Sequence, residues 1–282
     1  MTAELMRALA VLAEPPRKES AAVAAALELD PPTADAYTAV FVLDVYPYAS
    51  VYLNADGMLG GEARDRVAGF WRALDLRPPA EPDHAAALLG LLASLTEAAA
   101  SDARAAHARH ALLWEHVLPW MPLFAAKVQD VGVGPYPAWA DRLMTLLCHE
   151  ARRAPAPTPS AVHLRDAHAL PRDTPRDLQA VLSPLLSGMV IARSDLARAA
   201  RTLGLGLRQG ERRFLLQSLL DQDAPATTRW IADEARAWRA RHERLRPVLG
   251  PSTDFWIDRA RATIDAFTHA RPSPQEQATG AT

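Results

Sequence analysis

Cysteine is almost missing from this chain. Cys148 stands alone among 282 residues, which excludes an internal disulfide framework and fits a reducing cytosol. Lysine is nearly as scarce: Lys18 and Lys127 are the two, beside 29 arginines. No apolar run approaches the roughly 18–20 residues that span a bilayer, so no membrane insertion is expected. The opening stretch MTAELMRALAVLAEPP is too short in its apolar part, and too acidic, to read as a secretory signal. Alternation at period two is almost absent, which argues against strands, and no repeat of 20 to 50 residues is evident. HExxH, CxxC and GxSxG are all missing, which removes the usual signatures of zinc sites and serine hydrolases.

The net charge is only −2, so no strong global attraction to nucleic acid or membrane is expected. The charge is uneven, however. Residues 1–150 carry 11 basic against 19 acidic side chains, a net of −8, and residues 151–282 carry 20 against 14, a net of +6. An acidic front half favours cationic partners within about a Debye length, ~8 Å at physiological salt.

What fills the chain is helix-forming sequence. Ala, Leu, Arg and Glu dominate, and Gly and Pro fall mostly between periodic segments. Helices are expected near 2–13, 18–28, 33–45, 62–75, 83–100, 102–118, 120–130 and 136–151, and again near 176–187, 194–203, 210–220, 226–246 and 254–269. The fold class is therefore all-α. The Pro-rich stretch 152–175 reads as a linker or long loop between a helical domain, 1–151, and a C-terminal helical extension, 176–270. Residues 271–282 read as a disordered polar tail.

Three stretches stand out. In PPAEPDHAAALLGLLASL, residues 78–95, Pro82 suits the first turn of a helix. Glu81 and Asp83 sit where the helix's positive end favours negative charge. His84 heads an apolar stripe through Leu88, Leu91, Leu92 and Leu95. A helix start explains all of this without a function. The second stretch is PYASVYL, Pro47 to Leu53. The third is HVLPWMPLF, His116 to Phe124, where Leu113, His116, Val117 and Trp120 fall at i, i+3, i+4 and i+7. Pro119 and Pro122 then turn the chain.

Together and in this order the three stretches resemble the TorD/DmsD/NarJ family of molecular chaperones, which mature molybdenum redox enzymes. The matching features are the PY.SVYL-like segment, the P.DH-like motif opening a helix, and the H...W.P.F-like motif some thirty residues later. Two positions depart from the family pattern. Arg77 stands near where a glutamate is common, and Glu81 replaces a proline or small residue.

The resemblance implies an all-α helical bundle of the TorD-like type and a non-enzymatic task in the cytoplasm. It implies no cofactor of the protein's own. The implied partner is an apo-molybdoenzyme catalytic subunit with its twin-arginine signal peptide, or another N-terminal segment, held until cofactor is inserted before export or assembly. Such a peptide offers an arginine pair followed by an apolar helix-forming run, so its groove needs acid at one end. The candidate client-binding residues are Tyr52, Glu81, Asp83, His84, Leu88, His116, Trp120 and Phe124. A homodimer stays open, and so does the identity of the client.

Other chemistries compete with this reading. His107, His110, Glu115 and His116 cluster in sequence, but without a ligand motif they read as surface histidines, and no metal is expected. Cys148, His149 and Glu150 are consecutive and cannot share one helix face. LGLGLRQGERR lacks a Walker lysine and a preceding strand. Residues 194–220 read as helix, glycine-bearing turn, helix, with Ser194 as N-cap, Gly204 at C′, and Arg208, Arg212 and Arg213 at the front of the second helix. That is the alternative, a helix-turn-helix-like nucleic-acid regulator. An ordinary αα-hairpin explains the same pattern, and no nucleic-acid partner is expected.

Overall fold

Caps and breakers set most helix ends. The computed structural model describes residues 2–157, 161, 164 and 178–268, and every regular element among them is a helix, with no strand. The chain is all-α. The first run is α1 (Thr2–Leu12), α2 (Ser20–Ala26), α3 (Ala34–Tyr37), α4 (Ala49–Leu53), α5 (Gly61–Ala73), α6 (Ala85–Ala98), α7 (Ala103–Ala111), α8 (Met121–Val131) and α9 (Tyr136–Arg153). After the segment outside the described residues come α10 (Leu178–Leu182), α11 (Pro184–Ser187), α12 (Arg193–Leu203), α13 (Arg212–Gln222), α14 (Ala224–Leu249) and α15 (Pro251–Thr268).

The side chains of Thr33, Asp102 and Asp223 accept from Ala36 N, Arg104 N and Ala226 N, capping α3, α7 and α14. Each satisfies an amide that the helix cannot pair itself. Gly132 and Gly204 follow α8 and α12 in the left-handed conformation, φ 71° and 68°, which costs a glycine little.

Several boundaries depart from the expectation. α6 begins at Ala85, not 83, and its cap is His84, whose Nδ1 accepts from Ala86 N at 3.1 Å. Pro82 therefore lies in the turn before the helix. Ser194 is not the cap of α12. Asp195 reaches back one turn to accept from Ala192 N at 2.7 Å. The helix expected over 176–187 is broken at Ser183–Pro184, since proline brings no N–H to continue the ladder. α4 is too short to show a period in sequence.

Both α3 and α7 run on into π turns, Thr38–Val42 and Leu112–Val117. The second π turn shifts the register of Leu113, His116, Val117 and Trp120. They do not form the single α-helical face that the spacing suggested, and α8 restarts at Met121 with Trp120 as its N-cap.

α1 packs on α6, α8 on α9, and α14 against α15 across Gly250. One cluster of buried apolar side chains runs from Ala3 to Ile264. Residues after 178 share it with residues before 157. Buried Lys127 Nζ meets Asp195 Oδ2 at 2.7 Å, Trp256 Nε1 donates to Pro119 O at 3.1 Å, and Arg241 donates two hydrogen bonds to Asp130. Burying a side chain such as Trp256 contributes on the order of 2–3 kcal/mol.

Of the expected linker 152–175, Arg152 and Arg153 belong to α9. Beyond residue 157, only Ala161 and Leu164 of that stretch are described, and both are buried. The tail 271–282 lies outside the described residues. Among those described, no helix is long and apolar enough to cross a membrane.

Candidate functional site

The two motifs Pro47–Leu53 and Glu81–His84 are bonded to each other. Tyr48 and His84 form an isolated antiparallel bridge, in which Ala49 N donates to Asp83 O at 3.0 Å and Ala85 N donates to Pro47 O at 2.8 Å. Ser50 N donates to Asp83 Oδ2 at 3.0 Å, and Tyr48 OH donates to Glu81 Oε2 at 2.9 Å. The Tyr48 and His84 rings meet edge to face, centroids 4.9 Å apart. Local sequence explains a helix start at this point. Only the fold shows that this start is stapled to a segment over thirty residues earlier.

The bridge forms one wall of a groove of about 890 Å³. Tyr37, Tyr48, Trp71, Leu76 and Leu91 supply its apolar surface, and Glu14, Arg17, Glu81 and His84 its polar one. Burial holds His84 below the usual histidine range, although Glu81, Glu14 and Asp83 pull it upward. Burial, then the bond to Glu81, pushes the Tyr48 hydroxyl up. At neutral pH His84 and Tyr48 are therefore neutral, with Glu14, Arg17 and Glu81 beside them in the groove. The Trp71 indole N–H is buried and has no partner among the described residues, an unmet donor at the groove wall.

The expected site residues divide into two groups. Glu81 and His84 line the groove. Asp83 is 2% exposed and spends its carboxylate on Ser50 N, so it holds the wall rather than facing the opening. Tyr52, Leu88, Trp120 and Phe124 are at most 1% exposed. Tyr52 lies 5.2 Å from Trp120, and Trp120 5.7 Å from Phe124, in an aromatic cluster with Phe41 and Trp139. His116 packs its ring on Phe70 at 4.9 Å, and its carbonyl accepts from Trp120 Nε1. The structure thus brings the H...W.P.F motif together as the core behind the groove. Sequence reasoning missed Glu14, Tyr37, Tyr48, Trp71 and Leu76. Tyr48 lay inside a quoted motif, but the others carry no local signal.

The basic hairpin also resolves. Arg212, at the front of α13, turns inward to donate to Ile191 O at 2.8 Å, and its burial lowers the guanidinium's affinity for its proton. Arg208 sits 6.0 Å over the Phe214 ring. Among the described residues, no three His, Cys, Asp or Glu side chains converge as a metal-ligand set.

Comparison with known proteins places this architecture. A family model described as nitrate reductase delta subunit matches residues 4–126, from α1 into α8, and so contains all three motifs and the groove. No curated protein matches the chain. Residues 4–126 are thus similar to the nitrate reductase delta subunit family, the NarJ/TorD-type chaperones of molybdoenzyme maturation.

Proposed function

We propose that this chain is a cytosolic, non-catalytic chaperone that binds the twin-arginine signal peptide, or another N-terminal segment, of an apo-molybdoenzyme. The peptide occupies the groove walled by Tyr48, Glu81 and His84, and is held there until cofactor is inserted. Residues 1–151 act as the chaperone domain and 176–270 as a helical extension, of which the described residues 178–268 are braced against it.

The observation that carries the reading is the pairing of Glu14 and Glu81 with an aromatic and aliphatic surface in one groove. That is the complement of an arginine pair followed by an apolar run. A charged hydrogen bond contributes about 1.5–3 kcal/mol when desolvated. A few such anchors suffice for a chaperone that must release its client, since micromolar affinity is ~8 kcal/mol. Asp83 acts through the wall it holds, and Tyr52, Leu88, His116, Trp120 and Phe124 act through the core behind it.

Calorimetric titration with a twin-arginine peptide, beside the same peptide carrying two glutamines, tests this. Glu81→Gln and Leu76→Asp, the latter at an exposed groove position, should each weaken binding about tenfold or more, ~1.4 kcal/mol, with the melting temperature nearly kept. Equal binding of both peptides, or unchanged affinity in both variants, would overturn the proposal.

A further inference from the structure

A second cavity lies across α6 from the groove's family of contacts, where the start of α1, the α6–α7 junction and the last turn of α9 meet. Its volume is about 500 Å³, and it is lined by Thr2, Ala3, Thr96, Arg109, Glu150 and Arg153, with small alanines between them. Arg109 enters from α7. Its Nε donates to Thr96 Oγ1 at 3.0 Å, and one Nη pairs with Glu150, which is 1% exposed. The other Nη has no partner among the described residues. Arg153 reaches the same space from α9 and has no ion-pair or hydrogen-bond partner among the described residues. Burial, and next the charge of Arg153, make Arg109 easier to deprotonate.

Two guanidiniums therefore share a cavity with one carboxylate, and the unpaired first amides of α1, an eleven-residue helix, lie at its edge. Charge alone favours an anion there. A helix end by itself would be ordinary, and Arg153 in a last turn is ordinary too. The second arginine, anchored on a buried carboxylate and a threonine with one edge left free, is what builds the site. Guanidinium presents parallel donors that match the oxygens of a phosphoryl group. A cavity of this size exceeds inorganic phosphate and falls in the range of small-molecule pockets. The alanines leave room for the uncharged remainder.

We propose that this cavity binds a small phosphorylated molecule, its phosphoryl oxygens on Arg109 and Arg153. The site is separate from the groove, so its failure leaves the peptide reading untouched. The test is calorimetry of the full chain with pyrophosphate and phenyl phosphate as probes, and acetate as control. Both phosphoryl probes should bind and raise the melting temperature, and acetate should not. Arg153→Ala should weaken binding about tenfold while leaving the melting temperature of the free protein and twin-arginine peptide binding unchanged. Arg109→Lys, which keeps charge but loses the fork, should weaken it as well. No binding at roughly ten times millimolar concentrations, equal binding of acetate, or full binding by Arg153→Ala would each overturn the proposal.

Discussion

Asp83 accepts two backbone hydrogen bonds from adjacent residues, Ala49 N on its carbonyl and Ser50 N on its carboxylate, each at 3.0 Å. Ser50 in turn accepts from Gly60 N through its hydroxyl at 3.2 Å. A carboxylate that resembles a ligand in sequence is thus a clamp between α4 and the head of α6.

Asp83→Ala should therefore leave Ser50 N buried without an acceptor, at a cost of ~1–3 kcal/mol. Denaturant unfolding should show the loss. Peptide affinity, measured on the folded fraction, should change by less than it does for Glu81→Gln. A variant of wild-type stability that no longer binds peptide would instead put Asp83 in the groove.

Lys127 is 1% exposed and bonded to Asp195, 2% exposed in its side chain, with Trp238 beneath the ammonium at 5.4 Å. Removing one member of a buried pair costs up to about 3–5 kcal/mol, although Asp195 keeps Arg198 at 2.7 Å. Lys127→Met should show a loss of this size in urea unfolding. Lys127→Met with Asp195→Asn should lose less than the sum of the two single variants. Additive losses would show that the two side chains are not coupled.

His242 is buried between Trp238 and Trp256, and its Nε2 donates to Gly188 O at 2.9 Å. Burial pushes its pKa down to about 4. The unfolded chain, near 6.5, then binds the proton more readily, so this group's contribution is full above pH 6.5 and is lost as pH falls toward 4. Over that window the loss is roughly 3 kcal/mol, at 1.36 kcal/mol per pKa unit. His84, lowered for the same reason, adds with the same sign. Urea unfolding at pH 7.5 and 4.5 should show the drop, and His242→Gln should flatten it. An unchanged pH slope in that variant would exclude His242 as the source.

Gly188 ends α11 at φ 73°, and a Cβ there would meet Ala260 N at 2.3 Å and Trp256 O at 2.7 Å. Both atoms belong to the backbone of α15 and cannot swing aside. Gly188→Ala should cost on the order of 2–4 kcal/mol from the strained φ and the clash together. A melting temperature within a degree or two of wild type would show that the two helices separate easily.

The groove prediction turns on Trp71. Its unpartnered N–H lies in the groove wall, so Trp71→Phe should keep the apolar surface and remove a donor. A fall in peptide affinity of a few-fold, about 1 kcal/mol, with unchanged stability would place that N–H on the client. Equal affinity would assign the indole to packing alone.

Helix content was legible in the sequence because helix propensity is local. Gly204 ends the helix where its neighbours suggested, but the expected cap Ser194 gave way to Asp195 bonding back to Ala192 N, and the caps Thr33, Asp102 and Asp223 went unread. The order of the three motifs was legible too, and it pointed to the family that residues 4–126 match. Tertiary structure decided which of those residues face solvent. Periodicity marks an apolar stripe but not what covers it. Tyr52, Trp120 and Phe124 became core because aromatic rings of the π turn after α3, of α8 and of α9 close over one another. His84 became a groove residue because an amide hydrogen-bonded bridge to Tyr48 pulled the head of α6 sideways. Glu14 and Trp71 joined it from distant segments, and such convergence is invisible to spacing, since nothing local changes when two remote side chains come together.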